Sequence, residues 1–575
     1  MLRLFYIQVV DSQWKEEAAS MSERKIVQYP SRGLILDRHQ KILVANTPVY
    51  DLMVVPEQLE ITDTLKLCRL LGITKENLDE SLKSAFSYSR KKASALVKQI
   101  PGQDFAPIAE ALFAYKGLYG QPRTLRSYPK NVAAHALGYI SEVSPNQIKK
   151  SNYYTQGDYI GSSGLEYKYE DYLRGVKGAK YVVVDVHNNQ KGVYSDGSLD
   201  KNSEAGEVLQ STIDADVQAY AEALMKGKKG SVVAIEPKTG EILCIVTNPS
   251  YDPNLLIGRI RGANYRKLLQ DTLKPLFNRS IMSRYPPGST FKLFNALVGL
   301  QEGVVDSTTK YTCRQGYFYA GRKMGCHAHT STVGLQYSIQ TSCNAFYANV
   351  FKSILDHYPT SEEGYKKWVT YAKEFGFGSK LGIDLPNETS GFVPSEEYYN
   401  KIYGKGSWNG HTVISLAIGQ GEMGVSPLQM ANYTAAIANR GYYIQPHLVR
   451  AVNDSVLNYE RHDISIDKKH FETVVTGMRR VVTNGTGRGV DFDAEKFPMC
   501  GKTGTAQNPH GKDHSIFITF APKDDPKIAI AVYVENVGFG STWAAPISSL
   551  VAEKYLTDSI SRPRIEEKML NGKLY

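Results

Sequence analysis

Residues 284–300 read RYPPGSTFKLFNALVGL, and this stretch decides how the second half of the chain folds. Pro286, Pro287 and Gly288 cannot lie inside a helix, whereas the residues after them show helical periodicity that ends at a glycine. The stretch therefore predicts a helix that begins at Ser289. Lys292 lies three residues further on, and side chains at that spacing share one face of a helix.

A serine and a lysine on one helix face can act as a nucleophile and its base. The serine hydroxyl is a poor nucleophile until a neighbouring base removes its proton. Lysine can be that base only if burial or another cation lowers its pKa from roughly 10.4. The pattern S-x-x-K is weak evidence alone, because it occurs eight times in this chain. Its ordinary meaning is an N-cap serine followed by a surface lysine.

Two later motifs strengthen the case for Ser289. The stretch QTSCNAFYANVF places Ser342 and Asn344 two residues apart in a helical context, and FPMCGKTGTAQNP places K-T-G, residues 502–504, directly before a predicted hairpin. Both motifs recur elsewhere, and the second K-T-G, at Lys238, is explained as a hairpin turn. The three motifs occur in the order S-x-x-K, S-x-N and K-T-G, with a helix start at Ser289, a helical context at Ser342 and strands around Lys502. Chance does not readily produce this combination.

Length and composition define the class of protein. A chain of 575 residues is too long for one compact core, so two or more domains are expected. The formal net charge of +10 is spread along the chain without a basic tract, which favours a mildly cationic surface over nucleic-acid binding. No stretch approaches the roughly 20 apolar residues that span a bilayer.

Two strand pairs predict an antiparallel sheet. Residues 230–250, GSVVAIEPKTGEILCIVTNPS, and residues 515–536, SIFITFAPKDDPKIAIAVYVEN, each read as a hairpin, and a largely helical segment separates them. We therefore predict an α+β domain in which one antiparallel sheet packs between helices. The first third mixes short strands, such as YDLMVVP, with helices such as ENLDESLKSAF.

The ordered motifs resemble those of penicillin-binding proteins and serine β-lactamases. The stretches SRGLILDRHQKILVAN, RSYPKNVAAHALGYI, GSSGLEYKYEDYLRGVKG and AIGQGEMGVSPLQMANYTAAIANRG are similar to class B penicillin-binding proteins, and the likeness runs from about residue 28 to 555. Within that class, the chain most resembles the elongation-type penicillin-binding protein 2, a peptidoglycan D,D-transpeptidase.

The resemblance implies a role for each motif residue. Ser289 would attack the penultimate D-alanine of a stem peptide and become acylated, with release of the terminal D-alanine and transfer of the acyl group to an amine. Lys292 would be the base, and Ser342, held by Lys292 and Lys502, would relay protons to the leaving amine. Asn344 would bind the substrate amide. Lys502, Thr503 and Thr505, in the K-T-G strand that includes Gly504, would bind the substrate carboxylate. The backbone N–H groups of Ser289 and Thr505 would form the oxyanion hole.

The resemblance also implies the surroundings of the enzyme. We expect a non-catalytic pedestal (penicillin-binding protein dimerisation-type) domain over residues 1–205, a transpeptidase domain over 206–560 and a C-terminal tail over 561–575. The family starts with a single membrane-spanning helix, and the chain resembles the family without this anchor, so we expect the native protein in the cytoplasmic membrane with its catalytic domain outside the cytoplasm. Expected partners are peptidoglycan stem peptides, β-lactam antibiotics and a membrane glycosyltransferase of the elongation machinery, without nucleic acid.

Three of the six cysteines crowd into residues 313–343, next to two histidines. Thiolates and imidazoles bind structural zinc, and some members of the elongation subtype carry zinc near S-x-N. If zinc binds here, the expected ligands are Cys313, Cys326, Cys343 and His329, with His327 as the other candidate imidazole. A Cys313–Cys326 disulfide and inert buried thiols are the alternatives. Catalysis itself requires no cofactor.

Two other functions remain open for the same motifs. A D,D-carboxypeptidase or a β-lactamase of this fold would pass the acyl group to water, although no residue stands out as the water-activating glutamate. A non-enzymatic penicillin-binding scaffold or sensor is the other alternative, against which the complete motif set argues.

Overall fold

A computed structural model describes residues 23–184, 190–509 and 511–575. The opening stretch at residues 2–19, which the sequence predicts as an amphipathic helix, lies outside these ranges. Across the described ranges, no helix combines the length and the apolar character that crossing a bilayer requires.

The described strands of the N-terminal region belong to three sheets: one of three strands, one of two, and one of seven that also includes strands of the C-terminal region. The three-stranded sheet pairs strands from the two ends of the region, and the seven-stranded sheet contains a long strand that pairs with two neighbours along its length. The strands are β1 (Glu23–Gln28), β2 (Ile35–Leu36), β3 (Ile42–Val54), β4 (Ser94–Pro101), β5 (Leu118–Ser127), β6 (Ile140–Glu142), β7 (Tyr159–Gly161), β8 (Gly178–Val184) and β9 (Gln190–Val193).

The helices of this region are α1 (Thr64–Leu71), α2 (Lys75–Tyr88), α3 (Gly102–Ala111), α4 (Ala134–Leu137), α5 (Pro145–Lys149), α6 (Gly164–Lys168) and α7 (Glu170–Leu173). Helices α1, α2 and α3 enclose a small apolar core of their own, whereas α4, α6 and α7 contribute to the large core that includes the C-terminal region. The strand and helix expected from YDLMVVP and ENLDESLKSAF therefore both form, as parts of β3 and α2.

A buried charge cluster stabilises the end of this region. Glu166 lies on α6 and Glu170 begins α7 one helical turn later, so both carboxylates reach the same side. Arg32 bonds both of them, at 2.6 and 2.7 Å, and Arg126 bonds Glu166 at 2.6 Å. All four side chains are buried, and such charges are tolerated inside a protein only when they are paired.

The C-terminal region contains a five-stranded antiparallel sheet in the order β12-β11-β23-β22-β21. The two predicted hairpins supply four of these strands, and they meet where β11 pairs with β23. The strands of this region are β10 (Leu209–Ser211), β11 (Gly230–Ile235), β12 (Ile242–Asn248), β13 (Lys310–Thr312), β14 (Gly316–Tyr319), β15 (Arg322–Gly325), β16 (Thr332–Gly334), β17 (Tyr442–Ile444), β18 (Val449–Val452), β19 (Ser455–Val456), β20 (Arg461–Asp463), β21 (Cys500–Ala506), β22 (His514–Ala521) and β23 (Ile528–Val534).

Helices bury both faces of this sheet, so its central strands carry almost unbroken apolar sequence. The helices are α8 (Ala215–Met225), α9 (Arg261–Gln270), α10 (Arg279–Met282), α11 (Lys292–Gln301), α12 (Leu335–Thr341), α13 (Asn344–Asp356), α14 (Ser361–Glu374), α15 (Glu396–Tyr403), α16 (Pro427–Ala438), α17 (Lys468–Asn484), α18 (Ala544–Thr557) and α19 (Pro563–Asn571). One apolar core includes α8 and α18, and the other includes α11 and α16. The predicted α+β fold with a sheet between helices is confirmed.

The two regions share a ladder of strands. Strand β10 pairs in parallel with β2 of the N-terminal region and antiparallel with β18 of the C-terminal region. A buried hydrogen bond of 3.0 Å from the Tyr169 hydroxyl to Asp384 crosses the same junction. At the far end, α19 packs on the C-terminal region, where the Met569 carbonyl accepts a bond from Lys228. The domain boundaries at 205/206 and 560/561 stay predictions.

Candidate active site

Ser289 lies in a tight 3₁₀ turn, Gly288–Phe291, that leads directly into α11. Gly288 adopts φ +57°, a left-handed conformation that favours glycine, and a Cβ on it would lie 2.8 Å from the Thr505 carbonyl oxygen. This close approach brings the backbone at Ser289 next to the backbone at Thr505. The predicted helix start is therefore present, with one turn of tighter helix before it.

Lys292 is fully buried and links the first motif to the second. Its Nζ donates to the Ser342 carbonyl at 2.6 Å, to the Ser342 hydroxyl at 3.1 Å and to Asn344 Oδ1 at 2.5 Å. Burial lowers the pKa of Lys292 to about 8, since the apolar surroundings disfavour its charged form. About one tenth of this amine is therefore neutral at pH 7, far more than for an ordinary lysine.

Ser342 sits between two helices rather than within one. Helix α12 ends at Thr341, Ser342 adopts φ 58° and ψ 42°, and α13 begins at Asn344. A serine in the left-handed region carries backbone strain that surrounding contacts must offset. The bend turns the Ser342 side chain and backbone carbonyl toward Lys292, a geometry that a continuous helix would not give.

The third motif lies on β21, at one edge of the five-stranded sheet. Lys502 is fully buried, and burial together with the charge of Lys292 holds its pKa well below the ordinary value. Its Nζ donates to the Thr503 carbonyl at 3.0 Å. Gly504 faces the turn that holds Ser289, where a Cβ would come within 3.0 Å of Thr290.

A cavity of about 600 Å³ unites the three motifs. Ser289, Ser342, Asn344, Thr503 and Thr505 all line it, and Lys292 and Lys502 are buried close to it. Among the described residues, the Ser289 hydroxyl has no hydrogen-bond partner and no bond joins Lys502 to Ser342. Catalytic hydrogen bonds often tighten only when substrate is bound, so this geometry is compatible with the expected roles.

Asn344 is already engaged on both ends of its side-chain amide. Its Oδ1 accepts from Lys292, and its Nδ2 donates to the Gly325 carbonyl at 2.6 Å. The resemblance predicts Asn344 as a ligand of the substrate amide. In this structure it also orients the buried lysine.

Sequence reasoning missed several residues of the cavity wall. Gln420 donates to the Thr505 carbonyl at 3.2 Å, and the Thr486 hydroxyl shares a 2.5 Å hydrogen bond with the Thr503 hydroxyl. Gln420 lies in the stretch AIGQGEMGVSPLQMANYTAAIANRG, which resembles the family, so the resemblance could have identified it. Thr486 follows the end of helix α17, and no motif marks it. His327 and Phe539 also line the cavity, where their rings lie edge to face with centres 6.3 Å apart.

The predicted metal ligands converge beside the second motif. One ligand atom from each of Cys313, Cys326, His329 and Cys343 lies within 4.8 Å of all the others. Cys326 and Cys343 have their sulfur atoms 3.9 Å apart, and this contact lowers the pKa of Cys326. Within the described residues, all six cysteines carry free thiols.

The histidine of this group has the chemistry of a ligand. His329 Nδ1 contacts the Thr330 carbonyl at 2.8 Å, while its Nε2 is buried without a partner in the described protein. A second bond on the opposite ring nitrogen is how metal-binding histidines are usually oriented. Three thiols and one imidazole also match the ligand types of tetrahedral zinc.

Two families of known domains match the chain. The penicillin binding protein transpeptidase domain matches residues 230–553, and the penicillin-binding protein dimerisation domain matches residues 27–211. The first range contains all three motifs and the five-stranded sheet, and the second covers most of the N-terminal region.

Whole proteins and solved structures match over most of their length. The peptidoglycan D,D-transpeptidase MrdA of Acinetobacter baumannii is 31% identical over 583 residues, which cover 95% of this chain and 83% of that protein. The penicillin-binding protein PBP2 of Helicobacter pylori, solved in complex with MreC, has a TM-score of 0.78 at 26% identity and covers 93% of this chain and 99% of its own. A structure described as a peptidoglycan synthase complex that coordinates polymerization and crosslinking has a TM-score of 0.74 at 26% identity and covers 97% of this chain and 96% of its own.

Proposed function

The chain belongs to the penicillin-binding proteins, in the branch of penicillin-binding protein 2, and on that premise we propose a peptidoglycan D,D-transpeptidase whose nucleophile is Ser289. The observation that carries the assignment of Ser289 is the buried Lys292. Its lowered pKa supplies a neutral base, and its three bonds connect the S-x-x-K helix to the S-x-N bend. A surface lysine after an N-cap serine would have neither property.

In the first step Ser289 attacks the carbonyl carbon of the penultimate D-alanine. Lys292 takes the hydroxyl proton, a C–O bond forms, and the C–N bond to the terminal D-alanine breaks. Ser342, bonded to Lys292 at 3.1 Å, relays a proton to the departing amine. The backbone N–H groups of Ser289 and Thr505 hold the developing oxyanion, and one such donor is typically worth ~10²–10³ in rate.

The K-T-G strand binds the substrate carboxylate. Thr503 and Thr505 line the cavity with their hydroxyls, and Lys502 lies buried beside them. A bound carboxylate favours the charged form of Lys502, which burial and Lys292 disfavour in the free enzyme. Substrate binding and protonation of Lys502 are therefore coupled. Gln420 and Thr486 keep this strand in place through their bonds to Thr505 and Thr503.

In the second step the amine of another stem peptide attacks the acyl-enzyme and forms the cross-link. A β-lactam acylates the same serine, because its strained amide mimics the D-alanyl-D-alanine bond. Transfer to water, as in a D,D-carboxypeptidase or a β-lactamase, is the competing outcome. The relatives named as D,D-transpeptidases favour transfer to an amine.

The substrate determines where the enzyme works. We assign the catalytic domain to the extracytoplasmic face of the cytoplasmic membrane, where stem peptides are cross-linked. The relative solved with MreC and the one described in a peptidoglycan synthase complex support partners in the elongation machinery, including a membrane glycosyltransferase.

We also assign a structural zinc to Cys313, Cys326, His329 and Cys343. When bound, zinc would supply a cross-link between the loop after β15 and the helix that begins at Asn344. Cys343 lies between Ser342 and Asn344, so this cross-link would fix the bend that presents both residues to Lys292. Zinc takes no part in the acyl-transfer steps.

A coupled assay tests the proposed function. A donor peptide that ends in D-alanyl-D-alanine is incubated with an acceptor peptide that carries a free amine, and both free D-alanine and the cross-linked product are measured. We expect both products from the wild type and neither from Ser289→Ala. D-Alanine release without any cross-link, even at saturating acceptor, would instead identify a carboxypeptidase.

A further inference from the structure

A short hairpin adjoins the catalytic cavity and takes no part in the steps above. Strands β14 and β15 pair in register, and Gly325 at the end of β15 lines the cavity. The Gly325 carbonyl also accepts the 2.6 Å bond from Asn344. The hairpin is thus attached to the active site at its base and extends away from it.

The two faces of the hairpin differ in their surroundings. Tyr317 and Tyr319 point toward the protein, where Tyr317 bonds His411 at 3.0 Å and the ring of Tyr319 stacks on the same imidazole. Phe318 and Lys323 stand opposite each other on the other face. Because side chains alternate along a strand, Lys323 shares its face with Gly325, two residues later. The face that bears Phe318 and Lys323 is therefore continuous with the cavity wall.

This outer face is both apolar and cationic. Phe318 is 62% exposed, and the Lys323 ammonium lies 5.4 Å from the centre of its ring. Lys310, Arg314 and Arg322 are also exposed nearby in sequence. No ion pair involves any of these four cations within the described part of the chain, and residues 307–355 contain no aspartate or glutamate. Exposed cations elsewhere in the protein are often paired, as Lys352 is with Asp356.

We propose that this hairpin binds the free carboxylates of the substrate stem peptide, upstream of the D-alanyl-D-alanine that enters the cavity. The ligand is an acidic peptide, held by Lys323 with Arg314 while Phe318 packs against its backbone. The inference deepens the proposed function and rests on it. Unpaired cations beside an active site attract an anionic substrate and raise its local concentration. An acidic peptide fits better than a flat anionic membrane because this face is continuous with the cavity wall at Gly325.

Two donor peptides that differ in one group test the proposal. Both end in D-alanyl-D-alanine, and one carries an upstream glutamate where the other carries glutamine. The test variant is Arg314→Gln/Lys323→Gln, and the control is Lys66→Gln/Lys75→Gln, which removes the same charge from exposed positions of the pedestal helices. Binding to each Ser289→Ala form and kcat/KM of each active form are measured at low and high salt.

We expect the test variant to lose about fivefold in affinity and in kcat/KM for the acidic peptide, since each of its two exposed cations contributes about two- to threefold at low salt. The amide peptide, penicillin acylation of Ser289 and the control variant should change by less than twofold, and high salt should abolish the difference. Equal binding of both peptides by the wild type, or equal loss in both double variants, would overturn the inference. A wild type that neither binds penicillin nor releases D-alanine would overturn the proposed function instead. If the test variant loses binding to anionic lipid vesicles but keeps its affinity for the acidic peptide, the hairpin binds a membrane and the inference is overturned.

Discussion

The pH dependence of acylation follows from the burial of Lys292. With a pKa of about 8, about one tenth of this amine is neutral at pH 7, whereas a lysine at its ordinary value of 10.5 would be neutral in about one molecule in 3,000. Burial thus increases the population of active base by about 300-fold. Between pH 6 and pH 8 the neutral fraction rises from about 1% to about one half, so the acylation rate should rise about fiftyfold and level off above pH 9.

Stopped-flow measurement of penicillin acylation between pH 6 and pH 9.5 checks this prediction, with circular dichroism to confirm that the protein stays folded. Lys292→Arg is the matched variant, because arginine keeps the charge but has no neutral form in this range. We expect its rate to fall by at least about 10³ at every pH, as for loss of a general base and its contacts. A flat profile for the wild type, or a substantial rate for Lys292→Arg, would refute the assignment of Lys292 as the base.

The same pKa shift affects stability with a defined sign. The pKa of Lys292 is lower in the folded protein than in the unfolded chain, so the unfolded chain binds more protons between about pH 8 and 10.5. The free energy of unfolding should therefore rise across that window, by up to about 3 kcal/mol relative to Lys292→Met. Urea unfolding of both proteins at pH 8 and pH 10.5 measures this difference.

Three further predictions concern the parts that position the site. Cys326→Ser should lose the metal, measured as zinc per chain by mass spectrometry, whereas Cys68→Ser in the pedestal should retain it; equal zinc in both would contradict the ligand set. Glu166→Gln should lower the free energy of unfolding of the pedestal by about 3–5 kcal/mol, because it removes a negative charge that compensates the buried guanidinium groups of Arg32 and Arg126. Urea unfolding measures this change, and an unchanged transition would argue that the cluster does not stabilise the pedestal. Gly288→Ala should slow penicillin acylation by about 10², because its Cβ would displace the Thr505 carbonyl, and a wild-type rate would show that the close backbone approach is not required.

Much of this architecture could be predicted from the sequence because its signals are local. The prolines and glycine before Ser289 define a helix start, and short apolar runs on either side of turns define the strands of the central sheet. The order of the three motifs then identifies which serine, lysine and threonines meet. These features depend on a few neighbouring residues each.

The remaining features depend on contacts between distant segments. The left-handed conformation of Ser342 has no sequence signal, since serine rarely adopts it without tertiary support. Strands β2 and β10 are only two and three residues long, too short for a periodic pattern, yet their pairing joins the two regions. Thr486 reaches Thr503 only because the loop after α17 folds back on β21.

The mass of the intact protein after exposure to a penicillin tests the central claim most directly. The account predicts one covalent adduct per wild-type chain that persists for hours, and no adduct on Ser289→Ala. An adduct of undiminished amount on Ser289→Ala, or none on folded wild-type protein, would contradict the assignment of Ser289. Rapid loss of the adduct together with hydrolysed drug would contradict the transpeptidase and indicate a β-lactamase.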